Sequence, residues 1–147
     1  VSVYMPHEVK DLSFSELELA FQFPFNVLDK RFERVSMPEG KRYARSIFLQ
    51  GLLASPNGLR QGAPKDLVNL QKLYHDILDE YNLDPVGFAL SFVASYDKLD
   101  FFLIGVDSEK QLMDILNFKI FEKQNMQILD GLPINIDQQL LDPRTWN

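Results

Sequence analysis

Hydrophobic and polar positions along this chain fall into two periods, and each period predicts an element. Over residues 16–25, Leu17, Leu19, Phe21, Phe23 and Phe25 alternate with Glu18, Ala20 and Gln22. Period two predicts a strand with one strongly apolar face. Pro24 cannot donate to a ladder, so pairing should stop near Phe23. Residues 1–4 form another β-type run, stopped by Pro6. Asn26 reads as a turn or cap residue and 27–32 as a short helix. Met37-Pro38-Glu39-Gly40 is a turn signal. It precedes a strand over 41–48 with Tyr43 and Arg45 on one face. The run 99–104 is continuously apolar around Phe101-Phe102-Leu103-Ile104. That suits a parallel strand buried on both faces, closed by Gly105.

Between the strands the period lengthens. Leu67, Leu70, Tyr74, Ile77, Leu78 and Tyr81 recur at three- and four-residue spacing after Pro64, which predicts an amphipathic helix. Asp76, Asp79 and Glu80 form its wet face, and His75 reads as a solvated residue on that polar side. Asp84 before Pro85 caps a second helix to about residue 96, apolar on most sides. Ser108-Glu109-Lys110-Gln111 has capping-box form and opens a third, through about residue 118. The stretch 55–63 holds Pro56, Gly58 and Gly62 and reads as a long loop. The tail 119–147 carries a possible helix to residue 129 and then an irregular ending. Four strands alternating with helices predict βαβ units and a parallel sheet.

Composition narrows the class. The chain has 147 residues, 46% of them hydrophobic, with no cysteine and a formal charge of −6. These values suit one ordinary globular domain. They leave no disulfide framework, thiolate nucleophile or thiolate metal site. An acidic balance opposes nucleic-acid binding, which runs on clustered Lys and Arg. No apolar run approaches the about 20 residues of a membrane span, and no basic leader opens the chain. The expectation is a cytoplasmic protein with neither a nucleic-acid nor a membrane partner.

In parallel α/β folds, ligands sit at the carboxyl ends of the strands. That rule selects residues 2–4, Gln22, Arg45 with Ser46, and 105–111. Gln22 either bonds neighbouring backbone or recognises a carboxamide. Arg45 either pairs with a loop acid or offers its guanidinium plane to a ligand ring or an anion. Gly105 to Ser108 precede a helix N-terminus, which either only caps itself or binds an anion. The two histidines, His7 and His75, make no metal pair, and no G-x-S-x-G, P-loop or G-x-G-x-x-G motif is present.

Taken together, the segments resemble the aldo-keto reductase family. The matching stretches are Val1-Ser2-Val3-Tyr4, Phe21-Gln22-Phe23-Pro24-Phe25-Asn26-Val27-Leu28-Asp29-Lys30-Arg31, Arg45-Ser46-Ile47-Phe48-Leu49-Gln50-Gly51-Leu52-Leu53, Asp84-Pro85-Val86-Gly87-Phe88-Ala89-Leu90, and Leu103-Ile104-Gly105-Val106 with Gln111. They occur in the family's order over nearly the whole chain. The resemblance implies a TIM-type (β/α)8 barrel that binds NADP or NAD. It identifies 1–147 with the C-terminal half of that barrel, a single partial domain of strands five to eight. The start at Val1 then falls where the barrel is cut.

The resemblance also implies roles. Ser2 and Gln22 match residues that hold the nicotinamide carboxamide, although Val3 stands where many members have Asn. Arg45 matches the position packed against the nicotinamide ring. Ser46 and Leu49 match the pyrophosphate-side loop. Gly105, Ser108 and Gln111 match the segment around the adenosine phosphate and adenine. Gly105 replaces a Lys that reads the 2′-phosphate in some members, and Ile115 an Asn that contacts adenine in many. The family's catalytic Tyr, Lys, Asp and His come from the other half of the barrel, so no catalytic and no metal residue is carried over. The expected function is the cofactor-cradling part of an oxidoreductase acting on a small carbonyl substrate. Its partner would be the N-terminal half of the barrel or a second copy of this chain. The alternatives are a non-catalytic nicotinamide-nucleotide-binding module and a structural one.

Overall fold

A computed structural model describes residues 1–9, 19–118, 121, 127–128 and 136–146. Its centre is a parallel sheet of β1 (Leu19–Pro24), β2 (Gly40–Arg45) and β3 (Phe101–Phe102) in sequential order. Residues 1–3 extend the sheet beyond β1. Ser2 bridges Gln22 in parallel, Val3 N–H donates to Gln22 O at 2.9 Å, and Gln22 N–H donates to Val1 O at 2.8 Å. All four predicted strand segments are thus present, side by side and parallel. Sequential parallel order is the order of a barrel wall.

The period-two pattern is realised as drawn. Leu19, Phe21 and Phe23 are buried, while Ala20 is exposed and Gln22 lies between. The apolar face packs on α2 (Pro85–Ala94) through Ala89, Leu90 and Val93, together with Val3, Phe25, Ala44 and Ile47. α1 (Lys65–Glu80) closes a second cluster with Leu67, Leu70, Tyr74 and Leu78 against Leu49, Leu52, Leu53, Phe88, Leu141 and Trp146. The opposite face of the sheet carries Gln22, Tyr43, Arg45 and Phe101. Register places Gln22 beside Tyr43 and Tyr43 beside Phe101, whose rings stack at 4.9 Å. α3 (Glu109–Leu116) follows β3. No helix is long and apolar enough to cross a membrane among the described residues.

Helix starts follow their caps. The Asp84 carboxylate accepts from Gly87 N–H at 2.6 Å, with Pro85 at the first position. Ser108 Oγ accepts from Gln111 N–H at 3.2 Å, while Gln111 Oε1 accepts from Asp107 N–H at 2.7 Å. The capping box is present, with its return bond one residue early.

Several expectations are corrected. The segment 27–32 is not helical, because the Asn26 carboxamide takes the Leu28 and Asp29 N–H groups into a local turn. β2 ends at Arg45 rather than 48, since Ser46 adopts φ 59° and cannot continue the ladder. β3 is short and not buried on both faces: Phe101 is 51% exposed and Leu103 41%. Its apolarity reflects an uncovered face, not a covered one. His75 is not solvated. It is buried, with Nε2 2.9 Å from Leu52 O, and neighbouring Gln71 donates to Ser55 O at 2.9 Å. Both side chains tie α1 to the loop after β2, a contact that helical period cannot reveal. Strand positions 16–18 and most of the helix predicted over 119–129 lie outside the described residues.

A short 3-10 helix, Pro6–Val9, fixes the turn after the first strand segment. Glu8 accepts the Tyr4 and Met5 N–H groups at 2.6 and 2.9 Å. These backbone donors, Met5 foremost, hold its carboxyl below the ordinary value of 4.5. A carboxyl depressed in the folded state stabilises fully above the unfolded value and loses that contribution as pH falls through the folded value. The Glu8→Gln variant should therefore lose less stability between pH 6 and pH 3 than the parent. Urea unfolding at the two pH values measures the difference, and equal losses would contradict the assignment.

Candidate functional site

The carboxyl ends of β2 and β3 and the start of α3 enclose a cleft of about 850 Å³. Five of the eight residues singled out from sequence line it: Arg45, Ser46, Leu49, Gly105 and Gln111. Ser108 caps α3 beside the cleft without lining it. Ser2 and Gln22 sit on the adjacent strands, joined by Ser2 Oγ donating to Gln22 Oε1 at 3.4 Å. Their row is next to Arg45, whose residue pairs with Pro24 two positions beyond Gln22. A cleft of this volume is within the range that holds a bound cofactor.

The loop after β2 is built on unusual backbone. Ser46, Leu49 and Gln50 have φ of 59°, 42° and 54°, the left-handed region that costs non-glycine residues of order 1 kcal/mol each. Two anchors maintain it. Leu49 is buried in the core, and the Asn26 Nδ2 group donates to Ser46 O at 2.9 Å. Gly51 and Gly58 close the loop by backbone contact. A Cβ on Gly58 would lie 2.0 Å from Gly51 O. Gly58→Ala is therefore expected to push the loop apart and cost about 1–3 kcal/mol. Thermal unfolding reads the loss, and an unchanged melting temperature would show that the loop has slack.

Arg45 carries the main surprise. Its sequence-level alternative of a salt bridge to a loop acid is not found among the described residues. Instead Nη2 donates to Val3 O at 3.2 Å and Nη1 to Ser46 Oγ at 3.3 Å. Nε is buried without a partner among the described residues. The guanidinium carbon lies 3.9 Å from the centre of the Tyr4 ring. Burial pulls the Arg45 guanidinium below the usual arginine value, with Tyr4 opposing the shift. A half-buried cation without a carboxylate partner, beside a cleft, is a group suited to an anion or a planar ring.

Arg144 was not singled out from sequence, and two further arrangements, the anchored tail and an ion pair after β1, were not legible as such. Arg144 lies 3.6 Å from the centre of the same Tyr4 ring. Two guanidinium groups at such distances must occupy opposite faces, so Tyr4 is held between them. Arg144 belongs to a 3-10 helix, Pro143–Thr145, and is paired with Asp142 at 2.6 Å. The irregular ending expected for the tail is thus anchored at the site, with Leu141 and Trp146 buried behind it. No periodicity marks these residues. Asp29 and Arg31 form an ion pair within the loop after β1 at 2.7 Å. The segment Asn26 to Arg31 did stand out as part of a motif, although its structural task did not. Among the described residues no group of acids and histidines could hold a metal.

No protein-family model matches the chain. A curated protein, pyridoxal 4-dehydrogenase of Microbacterium luteolum, is 29% identical over 111 residues, covering 71% of this chain and 32% of its own length. The apo form of aldo-keto reductase AKR11C1 from Bacillus halodurans superposes with a TM-score of 0.69 at 15% identity, covering 96% of this chain and 53% of that one. Its holo form gives a TM-score of 0.64 with 96% and 52% coverage. The chain spans about a third of the curated relative and about half of these solved structures. In fold, the chain is an α/β half-barrel like about half of these aldo-keto reductase structures, and in sequence it is similar to pyridoxal 4-dehydrogenase.

Proposed function

We propose that this chain is the cofactor-cradling part of an aldo-keto reductase-like oxidoreductase that uses NADP or NAD to reduce a carbonyl. The single observation that carries the reading is the convergence of five expected cofactor residues on one cleft. The residues present fit such a group. Arg45 supplies an Nε unpartnered among the described residues, Ser46, Leu49, Gln50 and Gly51 hold left-handed backbone, and Asp107 and Gln111 at the start of α3 line the same space. When bound, the nicotinamide would supply a hydride to the carbonyl carbon. Ser2 and Gln22 would orient the carboxamide, and Arg45 would pack on the ring. Ser46 and Leu49 would border the pyrophosphate, with Gly105, Ser108 and Gln111 around the adenosine.

No residue of this chain is assigned the proton-donating role, so the chain alone is expected to be inactive. The rest of the barrel, or a second copy, would complete it. Supporting that need is an uncovered margin: Phe101 in β3, Leu103 just after it, and Leu112, Met113 and Leu116 in α3 are all exposed. A cytoplasmic setting goes with this reading.

Fluorescence titration of the protein with reduced nicotinamide dinucleotides is the test. Saturable binding that weakens at least about tenfold in Arg45→Ala is the expected result. No binding of either dinucleotide would leave the structural module as the reading. Binding without turnover, even after the other half-barrel is supplied, would favour the non-catalytic module.

A further inference from the structure

Arg45 lines the cleft, while Tyr4 and Arg144 do not. The Tyr4 ring is nevertheless gripped on both faces, by the Arg45 guanidinium carbon at 3.9 Å from its centre and by that of Arg144 at 3.6 Å. Among the described residues the Tyr4 hydroxyl makes no hydrogen bond, so the ring face carries the contact. The Tyr4 backbone is fixed separately, since Glu8 accepts from its N–H at 2.6 Å. Two cations on one ring repel each other, and Asp142 offsets one of them. It accepts from Arg144 Nε at 2.9 Å and from Nη2 at 2.6 Å. The turn that carries Arg144 is tied down in its turn. Thr145 Oγ1 donates to Gln139 O at 2.7 Å and Trp146 Nε1 to Leu140 O at 3.1 Å. Leu141 and Trp146 belong to the core cluster that holds Leu49 of the cleft.

Hydrogen bonds alone hold the Arg45 guanidinium weakly. Its two bonds are long, at 3.2 Å to Val3 O and 3.3 Å to Ser46 Oγ, and Nε has no partner among the described residues. The ring face supplies the remaining restraint. A cation over an aromatic face is favoured about two- to thirtyfold, more as water is excluded. We infer that the C-terminal turn Pro143–Thr145 is a strap that positions the cation of the cleft: Arg144 fixes the Tyr4 ring, and the ring fixes the plane of Arg45. Tyr4 and Arg144 are thus positioning residues, which act on a ligand only through Arg45. The identity of that ligand rests on the dinucleotide reading above.

The first measurement needs no ligand. The Arg45 Nε–H signal, assigned by its loss in Arg45→Ala, is followed by nuclear magnetic resonance in isotope-labelled protein. Burial protects this proton in the parent. Its exchange with water should rise about threefold or more in Tyr4→Leu, Arg144→Ala and Asp142→Asn, and stay unchanged in Tyr4→Phe, which keeps the ring. Circular dichroism confirms that each variant is folded. The second measurement titrates the same proteins with reduced nicotinamide dinucleotides by ligand fluorescence. Affinity should fall about threefold or more in Tyr4→Leu and Arg144→Ala and recover in Tyr4→Phe. Neither loss should add to that of Arg45→Ala when the substitutions are combined. Unchanged Nε–H exchange overturns the strap. So does Tyr4→Phe as damaging as Tyr4→Leu, or a loss of affinity that adds in full to that of Arg45→Ala. Exchange that responds as expected, with neither dinucleotide bound by the parent, overturns the dinucleotide reading and leaves the strap standing.

Discussion

Replacing Asp29 with alanine is expected to lower stability by about 3–5 kcal/mol, the cost of leaving a buried ion without its partner. The Asp29 side chain is 0% exposed and that of Arg31 11%. The pair is bidentate, with Arg31 Nε donating to Oδ1 at 2.8 Å and Nη2 to Oδ2 at 2.7 Å. The Arg31 N–H donates to the same carboxylate at 3.2 Å. Nη1 reaches only the Met5 sulfur, a weak acceptor. Removing the carboxylate therefore strands a cation that solvent scarcely reaches. Urea unfolding followed by circular dichroism measures the change. The double variant Asp29→Leu with Arg31→Met should recover most of the loss, since it removes both charges and keeps an apolar volume. A single variant that costs under about 1 kcal/mol would place the pair among the weak surface bridges.

Phe25→Ala is expected to cost a similar amount, about 3–5 kcal/mol, for a different reason. Phe25 is fully buried, stacked on Phe92 at 5.6 Å and close to Tyr96 at 4.7 Å. Its N–H donates to Arg45 O at 3.1 Å, so the ring sits behind the strand ends that carry the site. Truncation opens a cavity between β1 and α2 and loosens the backbone that presents Arg45. The stability loss is read by denaturation. A loss of dinucleotide affinity larger than in a remote core variant such as Leu67→Ala would report the site. Equal effects of the two on binding would show that Phe25 acts on the core alone.

These two residues separate what was legible from what was not. Phe25 was visible because a strand repeats every two residues, and five apolar side chains in alternation leave one choice of face. The α1 stripe and the Asp84 and Ser108 caps were visible for the same local reason. The pairing of Asp29 with Arg31 is local too, but no period announces it, and their segment read as a helix. His75 shows the limit of the helical wheel. It falls on the polar side by spacing and is buried because the loop after β2 folds over that side and supplies Leu52 O. β3 shows the converse, an apolar run that read as doubly buried and stands at an uncovered margin. Periodicity describes a residue's neighbours along the chain; burial depends on which other segment arrives.

For the candidate site the division is similar. Motif order selected Ser2, Gln22, Arg45, Ser46, Leu49, Gly105, Ser108 and Gln111, and five of them line one cleft. Tyr4 between Arg45 and Arg144 could not be read in advance, since residues 4, 45 and 144 meet only through the fold. Sequence alone determined the strand segments, the helices α1, α2 and α3 with the caps of α2 and α3, and the residue types at the strand ends, because each follows from contacts within a few positions. Tertiary structure decided which face stays uncovered, where the charges of the cleft fall and which cation is left without an acid. Those outcomes are set by long-range packing, which places groups far apart in the chain within a few ångströms of one another.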